Sequence, residues 1–147
     1  MKKFVTILLM FVMILELNAC GTSSEKEEIT NVAKYEDCVL TLEDATIETT
    51  DTGEKVIKVG ATYTNNSSEP LYAYCSFAVR AFQGDVEIDE VSDINGNEAS
   101  LIKEIKNGET INVSYVFKLK DDSKVEVLIG EPTADQITIG RKEYFGE

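Results

Sequence analysis

Three cysteines and no histidine bound the chemistry open to this 147-residue chain. Without histidine the Ser/His and Cys/His nucleophile pairs are excluded, and so is the commonest zinc ligand. Cys38 and Cys75 are too few to hold zinc by thiolates alone. No glycine cluster has the spacing of a phosphate-cradling Walker or dinucleotide loop. The 27 aspartates and glutamates make close carboxylate pairs unavoidable, so a glycosidase-type pair cannot be read from spacing. The expectation is a chain with no catalytic residues and no cofactor, hence not an enzyme. A carboxylate-based cell-wall hydrolase is the one enzymatic reading left, behind two non-enzymatic ones.

Two further groups could bind. Asp93, Asn95 and Asn97 alternate, and Glu104 follows Asp93 by eleven residues, which is the ligand rhythm of a calcium loop. The glycine such a loop needs at its sixth position is Glu98 here, so an ordinary acidic loop competes and no metal is assigned. Tyr72, Tyr74 and Phe82 fall on the face of one strand opposite Phe77 and Val79. Aromatic side chains on a rigid sheet suit a recognition patch, or a face covered by a neighbouring loop.

Cys20 has a different chemistry. Lys2 and Lys3 precede an apolar run over residues 4–15, too short to span a bilayer but suited to the core of a signal peptide. Leu17, Asn18, Ala19 and Cys20, followed by Gly21, resemble the lipobox of exported bacterial lipoproteins. Asn18 departs from the usual small residue, and Glu16 is an unusual charge there. Residues 1–19 are thus expected to be a cleaved signal, Cys20 the lipidation site, and residues 20–34, rich in Ser, Thr, Glu and Lys, a flexible tether. Two acyl chains make such an anchor stable. The expected place is the outer face of the bacterial cytoplasmic membrane. Cleavage removes Lys2, Lys3 and Glu16, taking the formal net charge from −13 to −14. That balance disfavours nucleic acid or an anionic lipid surface as the main partner, because phosphate binding draws on Lys and Arg.

With Cys20 assigned to lipid, Cys38 and Cys75 remain. Both have inward parity in their expected strands, so a disulfide between facing sheets and two free buried thiols both stay open.

The elements that must position these residues are strands. An apolar fraction of 43% suits one globular domain over residues 35–147. Cys38, Leu40 and Leu42 alternate, with an irregularity at Glu43-Asp44 before Ile47. Ile57, Val59, Ala61 and Tyr63 form a second face. Residues 71–82 read as one long strand with Leu71, Ala73, Cys75, Phe77 and Val79 inward. Val86 and Ile88 give a short strand, and Leu101 to Ile105 a weaker one. Ile111, Val113, Tyr115, Phe117 and Leu119 alternate most clearly, followed by Val125, Val127 and Ile129, then Ile137 and Ile139. About seven to eight such strands predict an all-β, Ig-like antiparallel β-sandwich. The chain has no tryptophan, so an antibody-type domain with its hallmark residue is not expected.

Two stretches carry a family resemblance. Thr64-Asn65-Asn66-Ser67 ends a strand and turns through Glu69-Pro70 into a segment closing on Phe82-Gln83-Gly84. Ile105-Lys106-Asn107-Gly108-Glu109-Thr110 then leads an alternating strand to Leu119, followed by Ser123-Lys124-Val125-Glu126-Val127. These resemble small Gram-positive lipoproteins of the domain of unknown function 5067 type, similar to the immunoprotective extracellular group of Ig-like sandwiches. Asn107-Gly108 stands where that family often has Pro-Gly, and Gln83 and Gly84 are adjacent where a residue often intervenes. The resemblance implies a fold and no activity. The leading expectation is therefore a lipid-anchored, non-enzymatic binding module of unknown ligand. The alternative is an accessory envelope protein acting through an exported protein partner.

Overall fold

The computed structural model describes residues 29–92 and 98–144. Its elements in chain order are β1 (Val32–Tyr35), β2 (Cys38–Thr49), β3 (Lys55–Asn65), β4 (Leu71–Tyr72), the helical turn α1 (Ala73–Ser76), β5 (Ala78–Gln83), β6 (Val86–Ile88), the helical turn α2 (Glu98–Leu101), β7 (Glu104–Ile105), β8 (Thr110–Lys118), β9 (Val125–Gly130) and β10 (Thr138–Tyr144). Two four-stranded sheets, β1-β2-β3-β8 and β10-β9-β5-β6, make an all-β sandwich, and β4 pairs with β7 in a small third sheet. Every pairing is antiparallel.

Alternation builds the core. Leu40 and Leu42 of β2, Val59, Ala61 and Tyr63 of β3, and Val113, Tyr115 and Phe117 of β8 are buried, as are Ala81 of β5 and Val125, Val127 and Ile129 of β9. Residues of one parity lie on one face of a pleated strand, so each strand contributes every second side chain. The irregularity expected at Glu43-Asp44 is a register shift between Leu42 and Ala45. Gly60 lies opposite it, where a β-carbon would stand 3.2 Å from the Asp44 carbonyl oxygen.

Both open sides of the sandwich are stitched by backbone bonds. Arg141 N donates to Thr30 O at 2.7 Å, joining the β1 side to β10. Across the molecule, Val91 N donates to Val116 O at 2.8 Å and Lys118 N to Asp89 O at 2.9 Å, so the segment after β6 covers β8. Covered edges present fewer unpaired donors for adventitious strand pairing.

Four expectations are corrected. Residues 71–82 are not one strand, because α1 interrupts them between β4 and β5. The turn buries Ala73 and Ser76, three residues apart, and brings the Ser76 hydroxyl to Tyr63 in the core. It also breaks the inward parity of Cys75, which is exposed, while Cys38 is buried; both are free thiols. Leu101 closes α2 and only Glu104–Ile105 is strand. Finally, the segment assigned to the tether enters the sheet early: Val32, Ala33 and Lys34 belong to β1 and pair with Thr41, Leu40 and Val39. The described residues form ten strands, two of them only two residues long.

Candidate recognition surface

The sites expected from sequence are sorted by this fold. Tyr72 and Tyr74 stay together and exposed, at 39% and 57%, with ring centroids 6.1 Å apart and planes tilted by 48°. Tyr72 lies opposite Glu104 across the β4-β7 pair, and Ile102, two residues before Glu104, is 59% exposed. Phe82 does not join them. It stands on β5, half-buried, with the Arg80 guanidinium carbon 5.4 Å from its ring centroid. There the residues alternate with the inward set, and Arg141 bonds Glu126 at 3.2 Å nearby on the paired strands β9 and β10. The three-residue aromatic face is therefore a tyrosine pair at one place and a cation-covered phenylalanine at another.

A buried polar network holds the tyrosine pair in place. Tyr63 Oη donates to Cys38 Sγ at 3.1 Å and lies 2.7 Å from Ser76 Oγ. The Ser76 hydroxyl is also 3.1 Å from the Tyr72 carbonyl, so the chain beneath the exposed rings is tied to the core. Phe77 packs edge-on against Tyr63, with centroids 6.2 Å apart. Burial, and then the bond to Cys38, push the Tyr63 phenol well above its ordinary range. Tyr74 is raised as well, first by its hydrogen bond with Cys75. Neutral phenols suit hydrogen bonding and stacking, which is what such a surface offers.

Asn65 anchors the adjoining loops. Fully buried at the end of β3, its amide donates to Glu69 O and Ile105 O, both at 2.8 Å, and its carbonyl accepts from Ser67 N at 2.9 Å and Ser67 Oγ at 2.7 Å. All its side-chain capacity is used. Its backbone accepts from Gly108 N, and Asn107 Nδ2 donates to Ser67 O, so the 66–70 loop and the 106–109 turn are one unit. Gly108, at φ +72°, makes that turn in a conformation other residues rarely adopt. The Glu109 carboxylate accepts from Lys106 N at 3.0 Å. With the bond to Lys103, this holds its carboxyl below the usual range.

These clamps are the turn motifs noted in sequence, and a family model agrees: Domain of unknown function (DUF5067) matches residues 18–129. The chain belongs to that family. Among solved structures, a candidate lipoprotein from Staphylococcus aureus has a TM-score of 0.65 at 11% identity, covering 80% of this chain and 90% of that one. A candidate lipoprotein, ycdA, from Bacillus subtilis has a TM-score of 0.59 at 14% identity, covering 81% of this chain and 39% of that one. The yjhA protein of Bacillus subtilis has a TM-score of 0.50 at 11% identity, covering 81% and 98%. At these identities the likeness shows the fold. No curated protein matches the chain.

The remaining sites of this DUF5067 chain fall as follows. Leu17, Asn18, Ala19 and Cys20 lie outside the described residues, as do Asp93, Asn95 and Asn97. Glu104, the last of the calcium candidates, lies in β7 and is exposed. Among the described residues no group of three or more Cys, Asp or Glu side chains could hold a metal ion. Asn65 and Gln83 stand in the sequence motifs as turn residues, but both continue the inward parity of their strands and are buried. Gln83 spans the 119–124 turn: its amide nitrogen lies 3.0 Å from Asp121 O and 3.2 Å from Ser123 O, and its oxygen accepts from Lys120 N at 2.7 Å.

Proposed function

We propose that this chain is a lipid-anchored, non-enzymatic interaction module of immunoglobulin-like topology, working at the outer face of the cytoplasmic membrane. The topology reading is supported by strand order: β2-β3-β8 against β10-β9-β5-β6 follows the A-B-E and G-F-C-C′ arrangement of such sandwiches. The anchor reading is supported by Leu17-Asn18-Ala19-Cys20 and by this chain's likeness in fold to candidate lipoproteins. A chain without histidine, whose buried polar residues Asn65, Gln83 and Ser76 are spent on holding loops, supports a role without catalysis.

One observation carries the interaction reading: Tyr72 and Tyr74 are held exposed, side by side, on backbone fastened to the core through Ser76 and Tyr63. Tyrosine gives large contact area at low entropic cost and is enriched at binding surfaces. A photoreactive residue at position 74 in cells tests it. The expected result is one discrete adduct, with an exported protein or an envelope polymer, that weakens when Tyr72 is changed to Ser. Adducts spread without preference would overturn it. Palmitate labelling that disappears in Cys20→Ala tests the anchor separately.

A further inference from the structure

Where the described chain begins, Ile29 and Val32 on the β1 side line a cleft with Ile137, just before β10, and Ile139 of β10; Lys34 is the one charged residue among the described lining. Ile29 is 48% exposed and Ile137 56%. Among the described residues the lining holds no carboxylate. The cleft is also where the chain enters the domain. Nine residue steps separate Ile29 from Cys20, a span of at most about 30 Å even when fully extended.

We propose that this cleft rests on the phospholipid bilayer that holds the Cys20 lipid, with Ile29 and Ile137 entering the headgroup boundary and Lys34 meeting lipid phosphates. The inference builds on the anchor reading above. A pair of isoleucines would bind a membrane weakly from solution, but a short tether makes the contact intramolecular, at a high effective concentration. Charge selects the face. Acidic surfaces are repelled by anionic lipid within a Debye length of about 8 Å, so the domain settles on the side whose described lining is apolar apart from two threonines and Lys34. In the order β10-β9-β5-β6 this turns the β10 edge toward lipid and the β6 edge away from it.

The native chain has no tryptophan, so one introduced reporter reads the contact alone. Lipidated Ile137→Trp protein is placed in vesicles of phosphatidylcholine and phosphatidylglycerol carrying brominated acyl chains, beside Val86→Trp on β6, where Val86 is 51% exposed. The expected result is about a twofold loss of emission for Ile137→Trp, since interfacial side chains sit roughly 5–10 Å into the boundary, and little loss for Val86→Trp. Ile29→Asp added to Ile137→Trp should restore the emission while flotation with the vesicles persists. Should Ile137→Trp perturb the fold, Ile29→Trp provides a second reporter on the same cleft. Protein that floats but shows equal quenching at both positions, or none, overturns the docking and leaves the anchor standing. A blue shift without quenching puts protein in the cleft, a second copy or a partner, and also overturns it. Protein that fails to float removes the anchor reading and this inference together.

Discussion

The side-chain amide of Asn65 donates to the Ile105 carbonyl at 2.8 Å, fastening the end of β3 to β7 across 40 residues of chain. With its bonds to Glu69 and Ser67, one buried side chain joins two loops and the small sheet that carries Tyr72. Asn65→Ala leaves the Glu69 and Ile105 carbonyls without this donor and opens a cavity. It is expected to lower stability by about 2–4 kcal/mol, measured as a fall in the urea midpoint at unchanged slope. A change within experimental error would mean the loops are held otherwise.

Gln83 plays the corresponding part for the 119–124 turn. Gln83→Met keeps the volume but removes these bonds, with an expected loss of about 2 kcal/mol. Hydrogen exchange should show the Lys120 amide losing its protection.

Two core tyrosines should respond oppositely to loss of the hydroxyl. Tyr115 Oη is buried with no hydrogen-bond partner among the described residues, whereas Tyr63 Oη bonds Cys38 and Ser76. Tyr115→Phe is expected to raise stability by about 1 kcal/mol and Tyr63→Phe to lower it by about 1–2 kcal/mol. Thermal melts of the two variants beside the parent provide the comparison.

Gly140 sits where β10 meets β1, and a β-carbon there would lie 2.9 Å from Ile129 Cδ1 and 3.0 Å from Ala33 Cβ. Ile129 can swing its terminal methyl aside, but the Ala33 β-carbon moves only with β1. Gly140→Ala is expected to cost about 1–3 kcal/mol. Faster exchange at the Arg141 amide, which bonds Thr30, should accompany the loss.

Alkaline pH should unfold the domain. Burial is the first cause raising Tyr63, Tyr115 and Tyr144 above the usual phenol value of 10.0; for Tyr144 the charges of Asp44 and Glu43 add to it. A folded pKa above the unfolded one gives stability that is complete below the unfolded value and is lost as pH rises through the folded value. Stability should therefore hold up to about pH 10 and decline beyond it. In a tyrosinate absorbance titration, these three of the six tyrosines should ionise only together with the loss of structure.

Much of the framework was legible in sequence because period-two alternation is a local property. The inward sets of β2, β3, β8 and β9 emerge from residue type alone, and so does the irregularity at Glu43-Asp44. What misled was also local. Residues 71–82 alternate well enough to pass for one strand, yet the buried Tyr63 hydroxyl takes Ser76 as its partner, and the helical turn that delivers it puts Cys75 outside. Val32, Ala33 and Lys34 read as tether because they end a stretch rich in Ser, Thr, Glu and Lys, while their place in the sheet comes from Thr41, Leu40 and Val39 across the hairpin.

The sequence by itself determined an acidic chain without histidine, strands in two packed layers, and loops built from Asn, Gly and Pro. These follow from residue chemistry and short-range geometry. Only the tertiary structure decided which polar side chains are buried, that Tyr72 and Tyr74 stand apart from Phe82, and that Ile29 and Ile137 face one cleft. Each of those depends on contacts between residues far apart in the chain, and no local pattern encodes which distant surface a side chain will meet.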